Sequence, residues 1–146
     1  IPGKTVQGKH TAELVTLADI MPTLIETLNL KTPKLENKFE GASLANLVLK
    51  DKPLNRDYIV SESWFQSTVI SKSAKLGIMK QNPVNSSQDY REFGDMFFDR
   101  INDPLEINNG INDQKNQQTI AQLRVFYEEF KKQVPGIGLK EIVNKK

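Results

Sequence analysis

Few side chains in this sequence could carry chemistry, and each has a plainer reading beside it. His10 is the sole histidine, and an imidazole can exchange a proton near neutrality. It stands between Lys9 and Thr11, a polar setting that fits a surface residue; substrate contact would require the preceding loop to face an active site. Asp95, Asp99, Asp103 and Glu106 place carboxylates close enough in sequence to raise the question of calcium. An EF-hand loop wants Gly at its sixth position and Glu at its twelfth, and counting from Asp99 gives Pro104 and Gly110. The cluster therefore reads as turn and capping chemistry, and no metal site is assigned. Trp64 and Phe65 follow an apolar run that ends near Glu62. On a loop, such aromatics can stack on a sugar ring; otherwise they pack beneath a sheet. Asn85-Ser86-Ser87 fits the N-glycosylation triplet, a pattern common by chance.

Composition narrows the classes. The 146 residues suffice for one domain with a core, or for a small domain plus part of a neighbour. Hydrophobic content of 38% and charged content of 26% are those of a globular chain. A net charge of +2 with scattered lysines gives no basic stripe for nucleic acid. The absence of cysteine excludes disulfides, cysteine nucleophiles and thiolate metal sites without fixing a compartment. No apolar run approaches the ~20 residues of a membrane span. The opening Ile1-Pro2-Gly3 lacks a methionine, as an excised fragment would, so a missing leader says nothing about a parent protein.

The elements that must position these residues follow from periodicity and punctuation. Glu13 to Ala18 reads as a short buried strand carrying Leu14, Val15 and Leu17. Asp19 is placed to start a helix, with Pro22 in its first turn and Met21, Leu24, Ile25 and Leu28 on one face. Pro33 stops that helix from running further. Ser43 can cap a short helix bearing Leu44, Leu47 and Leu49. The β-branched runs Tyr58–Ser61 and Thr68–Ser71, the alternating Lys75–Lys80 and the segment Asp95–Asp99 predict four strands. Their short connections predict antiparallel neighbours. A final helix is expected from about Gln114 to Val134, with Ile120, Leu123, Tyr127, Phe130 and Val134 on one face and Phe126 widening it. Pro135-Gly136 ends it.

Three segments, in this order, resemble the C-terminal third of the sulfatases of the alkaline-phosphatase-like superfamily. Glu13-Leu14-Val15-Thr16-Leu17-Ala18-Asp19-Ile20-Met21-Pro22-Thr23-Leu24, followed by Glu40-Gly41-Ala42-Ser43-Leu44, is similar to the family's strand, Asp and "Pro-Thr-Leu" helix with its later "Asp-Gly-x-Ser-Leu". Arg56-Asp57-Tyr58-Ile59-Val60-Ser61-Glu62 looks like the strand that opens the C-terminal subdomain. Phe97 to Asn109 resembles the "Asp-Pro-x-Glu-x-x-Asn" turn, and Lys75-Leu76 stands where a "Tyr-Lys" strand is usual, with Ala74 replacing the tyrosine. The resemblance runs from Pro2 to about Pro135.

What the resemblance implies is an α+β fragment of an α/β sulfatase fold: a small antiparallel sheet of four strands against a C-terminal helix, preceded by a strand–helix unit. Residues 1–54 would end the catalytic domain and residues 55–146 would form the C-terminal subdomain. The parent would be a sulfuric ester hydrolase with a formylglycine nucleophile and a calcium ion that orients the sulfate. Formylglycine arises from Cys or Ser in a Cys/Ser-x-Pro-x-Arg motif, and none of the chain's prolines is preceded by either at that spacing. The family's metal ligands and active-site lysines also lie upstream of the segment matching Ile1. No catalytic residue or cofactor is therefore assigned to this chain. Trp64, Glu62 and His10 are the candidate substrate-binding residues, at a pocket rim. The expected partners are the catalytic domain and a sulfate ester, with a glycan as one form of it. Nucleic acid and a membrane span are not expected, and exposed apolar surface would favour oligomers. The parent is expected in the periplasm or outside the cell. The rival readings are a stand-alone module binding glycan or protein, and the same portion of a phosphate- or phosphonate-ester hydrolase.

Overall fold

The computed structural model describes residues 3, 5, 8, 10–31, 39–80, 87 and 89–134. The chain divides into two compact units, Ile1–Asp57 and Tyr58–Lys146.

In the first unit a single 3-10 turn at Leu17–Asp19 leads into helix α1 (Ile20–Leu28), and helix α2 (Ala45–Lys50) follows. The strand expected over Glu13–Ala18 does not form. Thr16 has extended dihedrals (φ −128°, ψ 164°), but a strand needs a ladder partner, and this backbone turns back on itself instead. The Thr16 N–H donates to the Asp19 carboxylate at 2.8 Å, and the Thr16 carbonyl accepts from the Asp19 N–H at 3.2 Å. Helix α1 stops at Asn29, in the left-handed region with φ 51°, before Pro33 can act. Leu30 N–H closes the end by donating to the Ile25 carbonyl at 3.0 Å. The start of α2 is held by two hydroxyls: Ser43 Oγ accepts from Ala45 N–H at 3.1 Å, and Thr23 Oγ1 accepts from Leu44 N–H at 2.8 Å. The second bond ties α2 to α1. Leu14, Ala45 and Leu47 are buried.

The second unit is a four-stranded antiparallel sheet in the order β1 (Tyr58–Glu62), β2 (Gln66–Ser71), β3 (Ala74–Met79), β4 (Met96–Asp99). Its register aligns Val60, Val69, Leu76 and Phe97 in one row across the sheet. Because side chains alternate along a strand, that row defines the buried face. Helix α3 (Gln117–Gln133) covers it with Ile120 and Leu123, while Phe126 and Tyr127 pack at its margin. The Phe126 ring stacks on Tyr58, centroids 4.5 Å apart and 12° from parallel. The predicted sheet and helix are thus observed, with the helix preceded by one 3-10 turn, Gln114–Asn116.

The turn after β4 folds back along that strand's outer edge. Phe97 N–H donates to Asn109 Oδ1 at 2.9 Å, and its carbonyl accepts from Gly110 N–H at 2.9 Å. An edge strand is thereby covered instead of left open to pair with another chain.

Candidate functional site

In the first unit the residues that carried the resemblance converge on Asp19. Its side chain is fully buried, and four donors reach it. Arg56 makes a two-pronged contact, Nη1 to Oδ2 at 2.7 Å and Nη2 to Oδ1 at 2.9 Å. The backbone N–H groups of Thr16 and Ala42 donate at 2.8 and 2.9 Å. Burial alone pushes this carboxyl up. The hydrogen bonds from Arg56, Thr16 and Ala42 outweigh it and hold the pKa at about 2. Arg56 Nη1 also donates to the Leu14 carbonyl at 3.1 Å. Gly41 is needed beside this centre because a Cβ there would lie 2.1 Å from the Ala18 carbonyl oxygen. Each Asp19 oxygen accepts two bonds and the carboxylate is fully buried, so the cluster locks a backbone and Asp19 has no open position for substrate.

The second unit holds the candidates at the β1–β2 hairpin. Glu62 ends β1, and its Oε1 accepts from Ser67 Oγ at 2.8 Å and from Lys80 Nζ at 3.4 Å. Ser67 is fully buried and also lies 2.9 Å from the Tyr127 hydroxyl. Helix α3 therefore fixes the Glu62 carboxylate through one hydroxyl. Trp64 sits at the hairpin tip and is 62% exposed. The turn is tight: Ser63 N–H donates to the Gln66 carbonyl at 2.8 Å. Phe65 joins Tyr90, with ring centroids 5.4 Å apart, and Tyr90 in turn lies 6.3 Å from Phe93. Sequence reasoning missed Tyr90 and Phe93, which have no periodic signal; only the fold brings them beside Phe65. His10 is exposed and belongs to the other compact unit. The sequon's Asn85 and Ser86 lie outside the described residues.

Asp95, Asp99, Asp103 and Glu106 are each engaged. Asp95 accepts from Met79 N–H at 2.9 Å and from Arg124 Nη2 at 2.6 Å. Asp99 accepts from the N–H groups of Ile101 and Asn102, and Asp103 from that of Asn108. Hydrogen bonds from Asn102 head the causes that draw the Asp99 carboxyl below its ordinary range. Glu106 has φ 54°, and this left-handed backbone aims its carboxylate at Lys75, with Arg100 beside it at 3.9 Å. This is turn, cap and ion-pair chemistry. Among the described residues no group of three His, Cys, Asp or Glu side chains is arranged to hold a metal ion.

On the sheet face away from α3, Gln66, Thr68, Lys75, Gly77 and Phe98 line a shallow cleft of about 350 Å³. Gly77 lets the Gln66 side chain lie across the floor, since a Cβ there would meet Gln66 Nε2 at 2.4 Å.

Comparison with known proteins places this architecture. No family model matches the chain. An arylsulfatase of Clostridium perfringens is 29% identical over 130 residues, covering 84% of this chain and 24% of the relative. A 2-O GAG sulfatase shares the fold with a TM-score of 0.66 and 21% identity, over 87% of this chain and 27% of that one. A protein solved in complex with its substrate D-glucosamine-2-N,6-O-disulfate has a TM-score of 0.61 and 19% identity, over 79% and 23%. The phosphonate monoester hydrolase of Agrobacterium radiobacter gives 0.55 and 20%, over 80% and 24%. The resemblance to sulfatases, read first from short motifs, is thus met in sequence by the arylsulfatase and in fold by the solved structures. The chain spans about a quarter of the length of these relatives. Among the described residues no helix is long and apolar enough to cross a membrane.

Proposed function

We propose that this chain serves as the C-terminal portion of a sulfuric ester hydrolase, completing the fold of a catalytic domain that supplies nucleophile and metal. The observation that carries the reading is the apolar surface of the first unit. Leu17 is 86% exposed, and Ile20, Met21, Leu24, Leu28 and Leu30 are each between 42% and 55% exposed. A nine-residue helix and its flanking residues that show this much apolar side chain to water are a surface awaiting cover. In this reading residues 1–54 finish the catalytic domain and residues 55–146 form the subdomain beside it. Asp19, Gly41 and Arg56 brace the first unit, and Glu62 and Trp64 stand at the substrate rim. Calcium and formylglycine belong to the rest of the parent, whose substrate is a sulfated glycan and whose place is the periplasm or beyond.

The test of the surface is direct. The isolated chain should self-associate at micromolar concentration, and Leu17→Glu with Met21→Glu should restore a monomer. A wild-type chain that stays monomeric would remove the argument. The phosphonate-ester reading is favoured by the likeness to a phosphonate monoester hydrolase. Parallel assays of the parent on matched aryl sulfate and aryl phosphonate esters decide between the two, with sulfate turned over faster on the present reading.

A further inference from the structure

We propose that the β1–β2 hairpin tip and the Tyr90–Phe93 turn form a stacking platform for a pyranose ring, one that reads the face of the sugar and not its sulfate. The inference rests on the reading above that the parent acts on a glycan. Trp64 is 62%, Phe65 44% and Phe93 68% exposed. These rings take no part in the hydrophobic core, which Val69, Leu76 and Phe97 build with α3. Exposed aromatic groups gathered in one place mark a binding surface more often than scattered ones do.

The platform is preset. Trp64 and Phe65 are the central residues of the tight turn closed by Ser63 and Gln66, and the Phe65 carbonyl accepts from Lys80 N–H at 2.8 Å. Asp89 caps the Tyr90–Phe93 turn by accepting from Arg91 N–H at 3.1 Å. Phe65 and Tyr90 are tilted by 48°, Tyr90 and Phe93 by 31°, so the three rings adjoin one another without closing into a parallel stack. Rings held in place lose little freedom on binding.

Size and charge choose the ligand. A fully buried aromatic side chain covers about 150–250 Å², so the exposed parts of Phe65 and Phe93, linked through Tyr90, offer on the order of 200 Å². A stable protein interface needs about 800 Å² from each partner, whereas one or two sugar rings fit the smaller area. The axial C–H groups of a pyranose present an apolar face, which gains dispersion contact with an aromatic ring. The flanking cations face carboxylates, Lys80 with Glu62 at 3.4 Å and Arg91 with Asp89 at 2.5 Å, and Glu92 adds a further negative charge within the turn. Each of those cations is matched by a carboxylate, so the platform carries no surplus positive charge to select a sulfate.

Trp64 is the only tryptophan and shares the tight turn with Phe65, so its emission reports on the turn that carries the platform's first ring. The full chain would be titrated with a glycosaminoglycan hexasaccharide and with its chemically desulfated counterpart. Both should shift Trp64 emission with Kd values within about threefold of each other, little changed between about 50 and about 300 mM salt. Phe93→Ala should weaken both by about tenfold, while circular dichroism verifies its fold. The wild-type comparison needs no variant, so a misfolded mutant would not rescue the idea. Binding confined to the sulfated form and lost at high salt would overturn it, as would no binding of either, or self-association through these rings. Failure of the sulfatase reading would register separately, as no sulfate release by the parent.

Discussion

Replacing Asp19 by asparagine removes one charge from a fully buried cluster while keeping its shape. In the folded chain the Asp19 pKa falls from 3.8 to about 2, and a shift of that size corresponds to about 2.5 kcal/mol of stability at neutral pH. The substitution also leaves Arg56, whose side chain is only 20% exposed, without its carboxylate. Breaking a buried pair from one side costs about 3–5 kcal/mol, and the asparagine oxygen can still accept two of the four bonds. A loss of about 3 kcal/mol is expected. Hydrogen exchange at the Thr16 and Ala42 amides, which bond this carboxylate directly, reads it locally; urea denaturation reads the total. The pH dependence has a definite sign. A carboxyl whose folded pKa is depressed stabilises the fold fully above about pH 4, and that contribution fades as pH falls toward about 2. The gap between wild type and Asp19→Asn should therefore narrow over that interval. A loss under about 1 kcal/mol, or a gap unchanged at pH 2, would refute the electrostatic account.

Two glycine substitutions should differ sharply. Gly41→Ala drives a methyl against the Ala18 backbone carbonyl and should cost about 3 kcal/mol, whereas Gly77→Ala meets only the movable end of Gln66 and should cost under about 1 kcal/mol in urea melts. Leu76→Ala opens a void at a fully buried position in the centre of the sheet and should cost about 3–4 kcal/mol by the same assay. Tyr127→Phe removes one hydroxyl from the buried Ser67 but keeps the ring under Lys131. It should cost about 1 kcal/mol and broaden the Glu62 carboxylate signal in NMR.

The four strands and α3 could be read from sequence because their signals are local. Val60, Val69 and Ile70 favour a pleated surface by shape, and Ile120, Leu123 and Tyr127 recur at helical spacing. Glu13–Ala18 gave the same apolar signal and still formed no strand, since its backbone found Asp19 and Arg56 in place of a neighbouring strand. Asn29 ended α1 through a left-handed turn, a weaker mark on paper than Pro33. The motifs that carried the family resemblance turned out to brace the scaffold: Asp19, Gly41 and Arg56 in one unit, Glu106 and Asn109 in the other. The aromatic platform was half visible. Trp64 and Phe65 stand out on a loop, but Tyr90 and Phe93 lie far along the chain, and no spacing rule pairs them.

The most direct test of the account is sulfate release from a chromogenic aryl sulfate in the presence of calcium, measured side by side for this chain and its full-length parent. The account predicts turnover by the parent and none by the chain alone. Turnover by the chain alone would contradict it and return attention to His10 and the acidic residues from Asp95 to Glu106.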